Sequence, residues 1–239
     1  MNSRIKLSAR TALNGSQIKI IPYVAAISTL FIFFSLCNAA MNHISLPQHF
    51  SVVLPVIFLL LSIATIAPLR LGLQIKHLLL ARGIKLFHGY GVGISGVLKA
   101  CELSVCLFFI KLFWFAVFEA IPIISSAIFI YHNSGNAVSL KASFIFFSGM
   151  IFLSVAGLGF YLLFTQRYSK SMFYLACYKD FTVTDAIAES IKRTKNKCAD
   201  ILFFKLGFVP WFFLCALIFP AFFVIPYYKQ SVTCLFLSR

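Results

Sequence analysis

Five long apolar runs, separated by shorter stretches rich in lysine and arginine, organise this chain. They are Ile20–Met41, Phe50–Leu69, Leu103–Ile130, Phe144–Phe164 and Ile201–Ile225. A hydrocarbon core about 30 Å thick needs roughly 20 residues of helix at 1.5 Å each, and every run meets that length. Each must be helical, because a backbone N–H or C=O left open in lipid costs several kcal/mol. A β-barrel would need short segments that alternate in polarity, and Val56–Leu61 or Phe144–Phe147 do not alternate. The pattern predicts an all-α polytopic bundle forming one domain over residues 1–239. It has five spans, or six if Pro210 and Pro220 break the last one.

Composition agrees with that reading. Residues of the AVILMFWYC class make up 61% and charged residues only 11%, with a mean hydropathy of +0.94. A soluble domain carries about 25% charge, so this chain lacks the polar groups to cover its own surface. The charge is also lopsided, with 21 Lys and Arg against 6 Asp and Glu. Positive residues between spans mark the cytoplasmic side. Counted that way, 17 of the 21 fall on one side, in the N-terminal tail and the second and fourth connections. Lys141, Lys229 and Arg239 fall on the other, and Lys111 within a span. The expectation is a cytoplasmic N-terminus. The sequence Cys37-Asn38-Ala39-Ala40 resembles a signal cleavage site, but the run before it has the length of a span, so an uncleaved first span is expected.

The polar connections carry structure of their own. Residues 69–82 place leucines near helical spacing around Arg70, Lys76 and His77, which either continues the second span or lies along the headgroups as an amphipathic segment. Thr182-Val183-Thr184-Asp185 has the spacing of a helix-start capping box. The amphipathic helix after it, about 184–197, gathers Lys192, Arg193, Lys195 and Lys197 late, where positive charge suits the helix dipole. That surface is expected to be a solvated basic face or a contact for anionic lipid headgroups or an acidic partner.

Within the spans the third is the most informative. Lys111 and Glu119 lie in an otherwise apolar run, with Glu102 at its edge and Pro122 bending it. An ionisable group at mid-bilayer costs about 2.5–3.5 kcal/mol unless paired or wetted, which makes it a functional candidate. Lys111 and Glu119 are about 12 Å apart along a helix axis, so each needs its own partner or water. Gly91-Val92-Gly93-Ile94-Ser95-Gly96 matches G-x-G-x-x-G, but the strand and the acid of a dinucleotide site are missing. A flexible joint before a helix starting near Ser95 is expected there. The seven cysteines form no C-x-x-C and do not group with histidines at ligand spacing, so no metal or cofactor is predicted. With no catalytic motif and one acid within a span, an enzyme is not predicted.

A recurrent order runs through the C-terminal third: Arg167-Tyr168-Ser169, Met172 to Ala176, Asp180, Ala186, Ser190, Asp200 to Leu206, Trp211 and Pro226-Tyr227. With Ala9-Arg10-x-x-Leu13 and Ala81-Arg82-Gly83 before Leu86-Phe87, it resembles a bacterial integral-membrane family catalogued as a domain of unknown function (975). The chain departs from that pattern with Pro210 before Trp211 and with a Phe- and Pro-rich last span. The resemblance implies a multi-pass protein of the bacterial inner membrane and no activity. The expected function is a non-enzymatic membrane component that binds a protein partner or a second copy of itself and supports envelope assembly or transport. Nucleic acid is not an expected partner. The second expectation is a small-solute or ion carrier using Lys111 and Glu119.

Overall fold

The computed structural model describes residues 2–41, 48–84, 93–133, 140–215 and 220–238. Ten α-helices are described, with no strand among the described residues. They are α1 (Asn2–Leu13), α2 (Gln17–Met41), α3 (Gln48–Ala81), α4 (Ile94–Asn133) and α5 (Leu140–Thr165), then α6 (Ser171–Cys177), α7 (Val183–Thr194), α8 (Cys198–Leu206), α9 (Val209–Leu214) and α10 (Ala221–Leu237). A 3₁₀ turn, Gln166–Tyr168, links α5 to the residues before α6.

Four of the helices, α2 to α5, are long and apolar enough to cross a membrane. They pack in sequence order, α2 on α3, α3 on α4 and α4 on α5. At 40 residues, α4 is about 60 Å long, twice the thickness of a hydrocarbon core, so its ends must project beyond one. The N-terminal end of α4 meets the short helices. One buried core there joins Ile5 of α1, Leu71 and Leu78 of α3, Ala100 and Leu103 of α4, Phe173 of α6, Ala186 of α7, Phe204 of α8 and Phe236 of α10. We call this the basic end of the molecule.

Prolines inside the long helices leave carbonyls without a donor, because proline lacks the N–H that would bond the residue four before it. Pro68 frees the Ala64 carbonyl, and the Cys101 thiol of α4 reaches it at 4.0 Å. Pro122 frees the Phe118 carbonyl, which faces Gly157 of α5 so closely that an added Cβ would lie 2.9 Å from the oxygen. Both helices continue unbroken through these residues.

At two places the helices decide between readings that the sequence leaves open. The run Ile201–Ile225 is broken, not one continuous helix: α8 ends at Leu206, Gly207 and Phe208 form a turn, and Pro210 sits in the first turn of α9. Pro220 caps the start of α10. Proline suits a helix start, where its missing N–H costs nothing, so the two prolines begin helices within one greasy run. The segment 69–82 continues the helix of the second run and is not a separate surface helix. It is the end of α3, with Leu71, Leu73, His77, Leu78 and Leu80 buried by α1, α2, α6 and α10.

The capping box is present as expected. The Thr182 hydroxyl accepts from the Asp185 N–H at 3.2 Å, and the Asp185 carboxylate accepts from the Thr182 N–H at 3.1 Å. Helix α7 ends at Thr194, with Asn196 in the left-handed region at φ 63°, a conformation asparagine tolerates better than most residues. The start of α4 at Ile94 lies one residue before the expected Ser95, while Gly91 and Val92 lie outside the described residues, as do Leu86, Phe87 and Arg239.

Candidate functional site: a basic cavity

Twenty-one cations with six acids cannot all find carboxylate partners, and the fold handles the excess in two ways. Several cations sit over aromatic rings. The Lys76 ammonium lies 3.4 Å from the centre of the Tyr23 ring, Lys6 lies 4.5 Å from Phe208, Arg167 lies 4.8 Å from Phe164 and Lys170 lies 5.2 Å from Phe236. Such contacts contribute about 0.5–2 kcal/mol each.

Four others converge on one void. Arg70 of α3, Lys111 of α4, Lys205 of α8 and Lys229 of α10 all line a cavity of about 530 Å³. Helical spacing explains the convergence. On α3, Arg70, Leu73 and Gln74 stand on one face, and on α10 so do Ile225, Lys229, Val232 and Phe236. The Gln74 amide donates to the Thr233 hydroxyl at 3.1 Å, and His77 Nδ1 lies 2.7 Å from Gln230 Oε1. These two bonds lock α10 onto α3, and His77 and Gln230 are both 0% exposed. The 3₁₀ turn adds Gln166, whose Oε1 accepts from the Lys205 ammonium at 2.6 Å.

No acidic residue lines the cavity. Arg70, Lys111 and Lys229 make no side-chain hydrogen bond or ion pair among the described residues. They retain accessible surface by looking into the void. Lys205 and Lys229, which lie outside the four long helices, report the resulting field. Burial, then repulsion from Lys229 and Lys111, pushes the Lys205 ammonium down to about 7. Burial, then Arg70 and Lys111, lowers Lys229 from the usual lysine range. Like charges held close in a partly dry site favour any bound anion, and bidentate Arg and point-charge Lys are the usual phosphate ligands.

The sequence-predicted residues divide. Lys111 lies in the cavity. Glu119 does not: its carboxyl is 6% exposed and packs on Gly157, where an added Cβ would stand 3.0 Å from Oε1, and that oxygen has no hydrogen-bond partner among the described residues. Pro122, one turn on, is buried beside it. Glu102 is exposed on the first turns of α4. Lys192, Arg193 and Lys195 are exposed on α7 and the turn after it, and Lys197 is half-buried; none of them lines the cavity. Arg193 pairs with Glu189 at 2.7 Å. Lys229, assigned by its position to the side opposite Arg70, lies in the same cavity as Arg70 and Lys205, which corrects that assignment.

Sequence reasoning missed Arg70, Lys205 and Lys229 as site residues and counted them only as loop charges. For Lys205 a signal was available, since it stands in the apolar stretch Ile201–Phe208 much as Lys111 does in its own; Lys229, followed by Gln230 and Ser231, gave none. No protein-family model, curated protein or solved structure matches this chain.

Proposed function

We propose that the chain is a multi-pass protein of the bacterial inner membrane, its N-terminus and basic end cytoplasmic, whose function is to bind an anion in the cavity. The observation that carries this is the meeting of Arg70, Lys111, Lys205 and Lys229 around a space of about 530 Å³ with no acid on its lining. A cavity of that size lies within the usual range for small-molecule sites. Four cations gathered without counter-charge oppose folding unless something pays them back, and a bound anion does so. The resemblance to the uncharacterised bacterial family and the excess of positive charge at this end support the location. The carrier reading through Lys111 and Glu119 together loses support, because the two side chains serve different places. A partner-binding role for Lys192, Lys195 and Lys197 stays compatible with the exposed face of α7.

The test is titration of the detergent-purified protein with glycerol phosphate, followed calorimetrically. Wild type is expected to bind, and the Lys111→Ala/Lys229→Ala double variant to lose at least about tenfold in affinity, since each charged hydrogen bond contributes about 1.5–3 kcal/mol. Equal binding by the two proteins, or none by wild type, overturns the proposal.

A further inference from the structure

The cavity has a second property that its charge alone does not explain. Its lining is half apolar, with Ile27 of α2, Leu107 of α4, Ile225 and Phe236 of α10 facing the same void as the four cations. A site for a free inorganic anion gains nothing from such a wall. Its level in the fold is equally specific. Arg70 directly follows the apolar run of α3, Thr165 and Gln166 directly follow that of α5, and Val24 and Ile27 lie in the first turns of the run of α2. The ends of three spans therefore meet around it, at the depth where the polar and hydrocarbon parts of a bilayer meet.

The helices around the cavity follow one another, α2 on α3 on α4 on α5, while α10 packs on α2 and α8 packs on α5. Of these, α8 and α10 supply Lys205 and Lys229, and α2 supplies Ile27 and Ser28. A ligand with an anionic head and apolar tails satisfies every part of this arrangement: the head among the cations, the first carbons on the apolar wall, and the chains towards the hydrocarbon side of the spans.

Resting on the anion-binding reading, we infer that the occupant is the phosphate headgroup of an anionic membrane phospholipid. The shared chemistry is a phosphate ester, and a soluble phosphate is the competing source.

The experiment compares three probes on the delipidated full-length protein in a neutral detergent, read as a shift in unfolding temperature. They are dihexanoyl-phosphatidylglycerol below its micelle concentration, glycerol phosphate and inorganic phosphate. The short-chain lipid is expected to bind at least tenfold more tightly than either soluble anion. Lys111→Gln/Lys229→Gln should abolish all three shifts, whereas Lys192→Ala/Lys195→Ala on the α7 face should leave them unchanged. Equal affinity for lipid and glycerol phosphate overturns the inference and leaves the anion site standing. No shift with any probe overturns both.

Discussion

The two ends of this bundle obey opposite rules. Away from the basic end, large apolar side chains point outward: Phe31, Leu60, Ile123 and Phe152 are 59%, 57%, 56% and 77% exposed. At the basic end the interior is polar as well as apolar, and Ser190, Thr194, His77 and Gln230 are all 0% exposed. The difference is the one that lipid around the long apolar helices and water around the basic end would impose. Lipid tails are as apolar as leucine, so a helix in lipid gains little by hiding its side chains and associates through close backbone contact, as α4 and α5 do at Gly157. Where water competes, apolar burial stabilises, and buried hydroxyls and amides must find partners. Ser190 meets that demand by donating to the Arg167 carbonyl at 2.7 Å and accepting from the Lys170 N–H at 3.2 Å.

The largest effect should come from removing the same side chain at each end. Phe208 is 1% exposed and packs against Phe204, Tyr227 and Tyr228. Phe208→Ala should cost about 3–5 kcal/mol in denaturant unfolding from mild detergent, whereas Phe152→Ala should stay within about 0.5 kcal/mol. Similar losses would erase the distinction. Next in size is the close approach in the outward half. Gly157→Ala puts a methyl against the Phe118 carbonyl and should cost about 1–3 kcal/mol by overpacking. Gly159→Ala, with nothing within 4 Å of its added carbon, should not.

Smaller effects sharpen the aqueous end. Thr182→Ala removes the α7 cap and should cost about 1 kcal/mol. The Asp185 carboxyl is held below its usual range by the Thr182 hydroxyl first and the Thr182 N–H second. A depressed folded value means its contribution is complete above about pH 4 and is lost as pH falls through the lowered value, so the gap between wild type and Thr182→Ala should narrow in strong acid to the part that the bond from the Asp185 N–H contributes. The smallest effect belongs to Glu189→Gln, which breaks the exposed pair with Arg193 and should change stability by at most about 0.5 kcal/mol.

The outward half was the more legible in the sequence, because a span is a composition averaged over many residues. Pro68 and Pro122 did not hide it, since helices tolerate proline where a neighbouring helix meets the freed carbonyl. The basic end was legible only where a local rule applied, as at the Thr182–Asp185 cap. Helix α1, read as a basic tail, packs through Ile5, Ala9 and Leu13, a stripe spaced by four residues that its interspersed charges conceal. The break at Gly207–Phe208 depends on which side of a proline the chain stops being helical, and hydropathy is blind to that. The cavity was least legible of all: Arg70, Lys111, Lys205 and Lys229 are up to 159 residues apart, and they meet through the packing of α3 on α4, of α8 on α5 and of α10 on α3.

The most direct measurement of the central claim is sulfate affinity against pH, because the charge of sulfate does not change over the range used. With Lys205 pushed down to about 7 between Lys111 and Lys229, the cavity carries its full charge below that value and loses one charge above it. Sulfate should bind most tightly at about pH 6 and weaken as pH rises through 7 towards about 9, and Lys205→Arg should flatten the profile while keeping the binding. No sulfate binding at any pH, or affinity that increases as the solution becomes more alkaline, would contradict an anion site built from these four cations.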